Sequence, residues 1–135
     1  MLTVPGLMIA LPGRAMETRP SRYPRAWLGM YLTIELYGPV TAVRVAFRQG
    51  GLGGDWFAID DAIQTRQQFQ ASHALPGYFR QQALCTLRPG TVLNVGRCSS
   101  LFGQPGGGFQ AEFLDGPLPQ VFPISGMWSN RAGNA

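Results

Sequence analysis

Past residue 27 the apolar side chains come in short runs cut by Gly and Pro, a pattern of brief elements joined by turns. Residues 31–37 (Tyr-Leu-Thr-Ile-Glu-Leu-Tyr) are rich in aromatic and β-branched types and fit a helix or a strand equally well. After Gly38 and Pro39, residues 41–47 alternate as a half-buried strand does. Gly50, Gly51, Gly53 and Gly54 predict a flexible loop, with a short strand at 55–59 behind it. Asp60 or Asp61 is suited to cap a helix running to about Ser72, in a stretch where Gln and Ala favour that state, and Pro76 stops it. Strands are expected at 83–87 and 91–97, hinged by Arg88, Pro89 and Gly90. A loop over 99–108 leads into a last strand at 109–114, after which Pro117, Pro119 and Pro123 end regular pairing.

The ends read differently. Residues 1–26 form an irregular arm broken by Pro5, Pro12, Pro20 and Pro24, either a linker or a boundary with a larger protein. The apolar run 7–11 is too short for a signal h-region and no basic residue precedes it, so no cleaved signal peptide is expected. Residues 129–135 read as a flexible tail, which leaves one domain over 27–128. No internal repeat is visible, and the sum is a small α+β domain dominated by strands.

Composition narrows the chemistry. A chain of 135 residues that is 45% hydrophobic and 13% charged can build a core and is not expected to be disordered. No apolar run reaches the roughly 18 residues a membrane helix requires, so no membrane span is expected. All eleven basic residues are Arg, so Schiff-base, Walker-loop and pyridoxal chemistry are excluded for want of a Lys. With one His, His73, and two Cys, Cys85 and Cys98, neither a His-rich nor a four-Cys zinc site can be built within the chain, and no metal is expected. A net charge of +4 suits an anionic partner, with Arg14, Arg19, Arg22 and Arg25 grouped near the start. The two Cys, thirteen positions apart, make either one disulfide or two buried thiols, and the absence of an oxidised framework favours the thiols.

The segment 102–113 (Phe-Gly-Gln-Pro-Gly-Gly-Gly-Phe-Gln-Ala-Glu-Phe) is the richest in implication. Gly106, Gly107 and Gly108 permit positive φ and close approach of a ligand to the backbone. In the strand that follows, Phe109, Ala111 and Phe113 face one way and Gln110 and Glu112 the other, an amide and a carboxylate side by side. The alternative is a loop leading to an edge strand with a wet face.

Residues 103–110 resemble the C-terminal signature of the tuberculosis necrotizing toxin family, NAD glycohydrolase domains of polymorphic toxins. Val43-Arg44-Val45, a Gly-rich turn, then Gly54-Asp55-Trp56-Phe57 resemble the opening of ADP-ribosyltransferase-like folds, and Ala74-Leu75-Pro76 is similar to the Leu-Pro after the helix in such toxins. The likeness covers about half the chain, residues 41–113. It implies an ADP-ribosyltransferase-like split β-sheet with one or two short helices, gripping NAD between its halves. It also implies a catalytic Gln at Gln110. In the Arg-Ser-Glu transferases a Gln-x-Glu strand ends in the catalytic Glu, which would be Glu112. Two features depart: Trp56, Phe57 and Ala58 stand where those transferases carry Ser-Thr-Ser, and His73 stands where the toxins carry a phosphate-binding Arg. Either His73 substitutes for that Arg, or Arg66 or Arg80 supplies the charge.

The chemistry the resemblance implies, scission of the nicotinamide–ribose bond, needs a cation for the diphosphate, an apolar wall for nicotinamide and an acceptor near the ribose. The candidates are Arg44 for phosphate, Trp56 or Phe57 for the ring, and Gln110 with Glu112 at the sugar. The expected function is an NAD(P)+ glycohydrolase toxin, with NAD or NADP as substrate and no cofactor. It is expected to be secreted or delivered, to act in the cytoplasm of a competing cell and to be restrained by a cognate immunity protein. The alternatives are an ADP-ribosyltransferase acting on a macromolecule and, further off, a basic nucleic-acid-binding domain. The strands show no Arg–aromatic alternation, so no nucleic acid is expected as partner.

Overall fold

The ambiguous stretch 31–37 falls in a strand, where period-two alternation puts Ile34 and Leu36 in the core and Thr33 on the opposite face. The computed structural model describes residues 2–3, 10–46, 56–59, 66–75 and 81–123. Within them the chain forms β1 (Leu2–Thr3), β2 (Ala10–Leu11), β3 (Gly13–Ala15) and a 3₁₀ turn (Pro24–Ala26). Then come β4 (Trp27–Leu36), β5 (Val40–Ala46), β6 (Trp56–Ala58) and α1 (Arg66–Ser72). The chain continues as β7 (Gln81–Leu87), β8 (Val92–Cys98), β9 (Phe109–Asp115) and β10 (Gln120–Pro123). The predicted loop glycines 50–54, the caps Asp60 and Asp61, the stop at Pro76, Arg80 and the tail 129–135 lie outside the described residues.

Eight strands make one antiparallel sheet in the order β10-β7-β5-β6-β9-β8-β4-β3. With α1 beside it, the architecture of the described residues is α+β. The core lies on one face, where Ile34, Leu36, Phe57, Leu87, Leu93, Val95, Phe109 and Ala111 are buried together and Phe113 packs against them. Each alternates along its strand with a residue of the opposite face, the face that bears the candidate site.

Three expectations change, and the connection at Arg88–Gly90 is defined. The 1–26 arm is not detached from the domain: Gly13–Ala15 pairs with β4, and Leu11 is buried in the core cluster. The strands on either side of Arg88–Gly90 are not partners. β7 pairs with β5 and β10, while β8 pairs with β4 and β9, so this turn carries the chain across the sheet. Pairing continues past Pro117 and Pro119 into β10, where an edge strand tolerates a terminal Pro123. And β9 is no edge strand, because β6 and β8 flank it.

The helix ends on Ala74 at φ 50°, with His73 N donating to Phe69 O and Leu75 N to Gln70 O. This left-handed cap closes the helix ahead of Pro76. Among the described residues no helix is long and apolar enough to cross a membrane.

Candidate functional site

Helix α1 lies against the sheet face opposite the core through Phe69, which packs with Ala58, Val43 and Leu75. Register explains the fit: Val43 pairs with Ala58 and Ala58 with Gln110, so all three side chains share that face. Between helix and sheet opens a cleft of about 370 Å³, counting its solvent-filled mouth. Phe69, Leu75, Val43 and Ala58 form its apolar walls. Gln110 and His73 border it as polar groups, and Trp56 and Phe57 complete it. A mostly apolar concavity with few convergent polar groups is the usual make-up of a small-molecule site.

Gln110 is buried and its amide is fixed at both ends. Nε2 donates to the carbonyl of Ala26 at 2.8 Å, and Oε1 accepts from the Cys98 thiol at 2.9 Å. One hydrogen on Nε2 and one lone pair on Oε1 are left over from those bonds. His73, also buried, stacks its ring on Phe69 with centroids 4.6 Å apart, and its Nδ1 lies 3.6 Å from Cys98 Sγ. Burial pushes the Cys98 thiol up to about 12, which keeps it protonated at neutral pH. Cys98 and Cys85 are both buried, and neither forms a disulfide.

Glu112 shares the face of Gln110 but not the cleft. Its carboxylate has no solvent exposure; Oε2 accepts from the backbone N–H of Arg22 at 3.0 Å and Oε1 from Asn94 Nδ2 at 3.2 Å. Asn94 in turn accepts from Thr33 Oγ1 at 2.6 Å and donates to the carbonyl of Arg19. Arg19 N donates to Thr33 Oγ1. The segment between β3 and β4 thus lies as a strap over the polar half of this face. Its backbone supplies the partners that a buried carboxylate and amide require. The wet face expected for this strand is instead a closed hydrogen-bond network.

Trp56, cross-strand from Glu112, stacks near Tyr23 and Trp27 with centroids 5.6 and 5.3 Å away. The strap is pinned beside it by Ser21, whose Oγ accepts from Trp27 Nε1 and from Tyr23 N. Of this aromatic group, Trp56 borders the cleft. Phe57 borders the cleft but belongs to the core cluster.

Two expectations about the site are corrected. Arg44 is not on the side of Gln110 and Glu112: its neighbour Val43 lines the cleft, so strand alternation turns Arg44 the other way. There its guanidinium lies over the Phe57 ring at 4.6 Å and opposes the upward push of burial on the Cys85 thiol. The three glycines do not line the cleft either. Gly106 N donates to Ala71 O and Gly108 N to Ser72 O, so the glycine run caps the last carbonyls of α1. Gly106 and Gly107 take φ of +75° and +93°, and a Cβ on Gly108 would meet Ser72 O at 2.6 Å and His73 Cε1 at 2.9 Å. The close approach is to the helix, and it sets His73 in place. Of the substitutes for a phosphate-binding Arg, Arg66 opens α1 and Arg80 is outside the described residues.

Sequence reading missed Cys98, Asn94 and Thr33 as partners of the site. Cys98 and Asn94 stand at alternate positions of β8 with Gly96 between them, a period-two signal. Register with Gln110 and Glu112 gives that signal its meaning.

No protein-family model matches the chain, and no curated protein matches it. Among solved structures, a chain of the structure of Tne2 in complex with Tni2 is similar in fold, with a TM-score of 0.56 at 17% sequence identity. The match covers 74% of this chain and 100% of that one.

Proposed function

We propose that this chain is an NAD(P)+ glycohydrolase with an ADP-ribosyltransferase-like fold, a toxin domain that cleaves the nicotinamide–ribose bond. The observation that carries the reading is the convergence of Gln110 and His73 on one apolar cleft beside Trp56. Gln110 comes from the segment that resembles the necrotizing toxins and Trp56 from one that resembles ADP-ribosyltransferase-like folds, and the fold is similar to a chain of the Tne2–Tni2 complex.

In the reaction water adds to the ribose C1′ while the C–N bond to nicotinamide breaks. The sugar passes through an oxocarbenium-like state and nicotinamide leaves neutral. Trp56 offers the flat wall for the nicotinamide ring. Gln110, held rigid at both ends, aligns the attacking water or a ribose hydroxyl through its remaining lone pair. The proton the water sheds passes to solvent through the cleft mouth, since His73 keeps Nδ1 against Cys98 and Nε2 buried.

The transferase alternative rests on Glu112 touching the ribose. Glu112 lies under the strap with both carboxylate oxygens bonded, an arrangement that favours hydrolysis centred on Gln110. Its role in this reading is to hold the strap.

A domain that drains NAD endangers the cell that makes it. A cognate immunity protein that plugs the cleft, and delivery into the cytoplasm of a competitor, complete the reading. That the similar fold was solved in a two-protein complex supports such a partner.

The test is incubation with NAD and with NADP, following nicotinamide release with and without a cell lysate. Release without lysate supports hydrolysis; label transferred to lysate proteins with little release favours the transferase; neither sinks both.

A further inference from the structure

Cys98 is buried on the cleft face of β8, and its single proton can be given to one acceptor only. Its Sγ stands 2.9 Å from Gln110 Oε1, which has no proton of its own to offer, so the thiol must be the donor in that contact. The same Sγ then presents only lone pairs to His73 Nδ1, 3.6 Å away. A lone pair facing Nδ1 selects the neutral imidazole with its proton on that nitrogen. Nε2 becomes the basic ring atom. Burial, which holds the thiol protonated, keeps this direction of donation fixed across the physiological range.

We propose that Cys98 is a positioning residue: its thiol donates to Gln110 Oε1 and accepts from His73 Nδ1–H, fixing the orientation of the amide and the tautomer of the imidazole together. The two polar groups of the cleft are thereby set by one sulfur atom rather than independently. Gly108 supports the arrangement, since its missing side chain leaves the room the imidazole edge occupies.

The consequence for turnover rests on the glycohydrolase reading; the tautomer does not. Nitrogen-15 NMR of the imidazole reads the tautomer directly, and His73 is the single His of the chain, so its signals are unambiguous. With the ring neutral, the proton is expected on Nδ1 in the wild type and in Cys98→Ser, and shared with Nε2 in Cys98→Ala. A wild-type ring protonated on Nε2, or a Cys98→Ala ring indistinguishable from wild type, overturns the proposal.

In the nicotinamide-release assay Cys98→Ala is expected to lower kcat about 10²-fold with KM little changed, the scale of a misplaced catalytic group. Cys98→Ser should restore most of it. Cys98→Ala with wild-type kcat overturns the proposal. A wild type that releases no nicotinamide sinks the glycohydrolase reading alone, and the ring spectra then decide. If thermal melts show Cys98→Ala unfolded, Cys98→Ser decides: a retained Nδ1–H tautomer supports the proposal and its loss refutes it.

Discussion

The amide of Gln110 is anchored by the backbone carbonyl of Ala26, 2.8 Å from its Nε2 and 84 positions earlier in the chain. The bond comes from the strap, not from the sheet, so the cleft's central amide depends on residues that precede β4. Cys98 holds the other end of the amide from β8. Orientation of this group is shared between two distant stretches of sequence.

Removal of residues 1–26 is therefore expected to abolish the native fold rather than trim a tail. It takes Leu11 from the core, β3 from β4, and the backbone partners of Glu112, Asn94 and Gln110. Far-UV circular dichroism of the truncated chain checks this. A cooperative melt close to that of the full chain would show the strap to be an accessory.

Gln110 and Glu112 should separate by phenotype. Gln110→Ala is expected to cut nicotinamide release about 10²-fold or more while leaving most of the stability. Glu112→Ala leaves the Arg22 N–H and the Asn94 amide short of an acceptor in a buried place, a cost of about 1–3 kcal/mol. Paired melting curves and kinetics decide it. Equal loss of activity at unchanged melting temperature in both variants would return Glu112 to the cleft.

The glycines should rank by the space around them. Alanine at Gly106 would press on the carbonyls of Ser99 and Cys98, and at Gly108 on Ser72 O, so both variants should melt well below wild type. Gly107 faces open space, and its alanine bears only the left-handed backbone, a cost of about 1–2 kcal/mol. A Gly107→Ala protein less stable than the other two would overturn the capping role.

Burial raises both thiols, Cys98 to about 12 and Cys85 by an amount that Arg44 moderates. A group whose folded pKa lies above its unfolded value gives stability that is whole below the unfolded value and lost as pH climbs to the folded one. For Cys98 that window runs from 9.0 to about 12. Denaturant midpoints should fall through this range, and Cys98→Ser, whose hydroxyl does not titrate there, should fall less. Alkylation in native buffer should be slow and should become fast in denaturant; rapid native labelling of Cys98 would contradict its burial.

Much of the sheet was written in alternation. The strands at 41–47, 83–87 and 91–97 appear within a residue or two, because period-two burial leaves a local trace. The division of β9 into an apolar and a polar face was equally legible. That the polar face is closed was not, since its cover is a Pro-rich strap whose Arg22 meets Glu112 across 90 positions. The glycine run misled because positive φ and close approach mark a helix cap as much as a ligand site. The period showed that Val43 and Arg44 point apart, but only the order of strands tells which one meets the cleft. Edge strand β10 was hidden by prolines that an interior strand would not tolerate.

The turn at Arg88–Gly90 sends β7 and β8, neighbours in sequence, to opposite halves of the sheet, and three-residue β6 lies where those halves meet. β6 reaches β5 as its neighbour in sequence, but its pairing with β9 sets Phe57 against Ala111, so the chain must close a long loop before the seam can form, a trait of slow folders. The half that holds β3, β4, β8 and β9 can gather the β3–β4 and β8–β9 hairpins early, whereas β5, β7 and β10 pair only across long stretches of chain, and the cleft exists only after the two halves are joined. On the glycohydrolase reading, a newly made chain would have no activity until that cleft assembles.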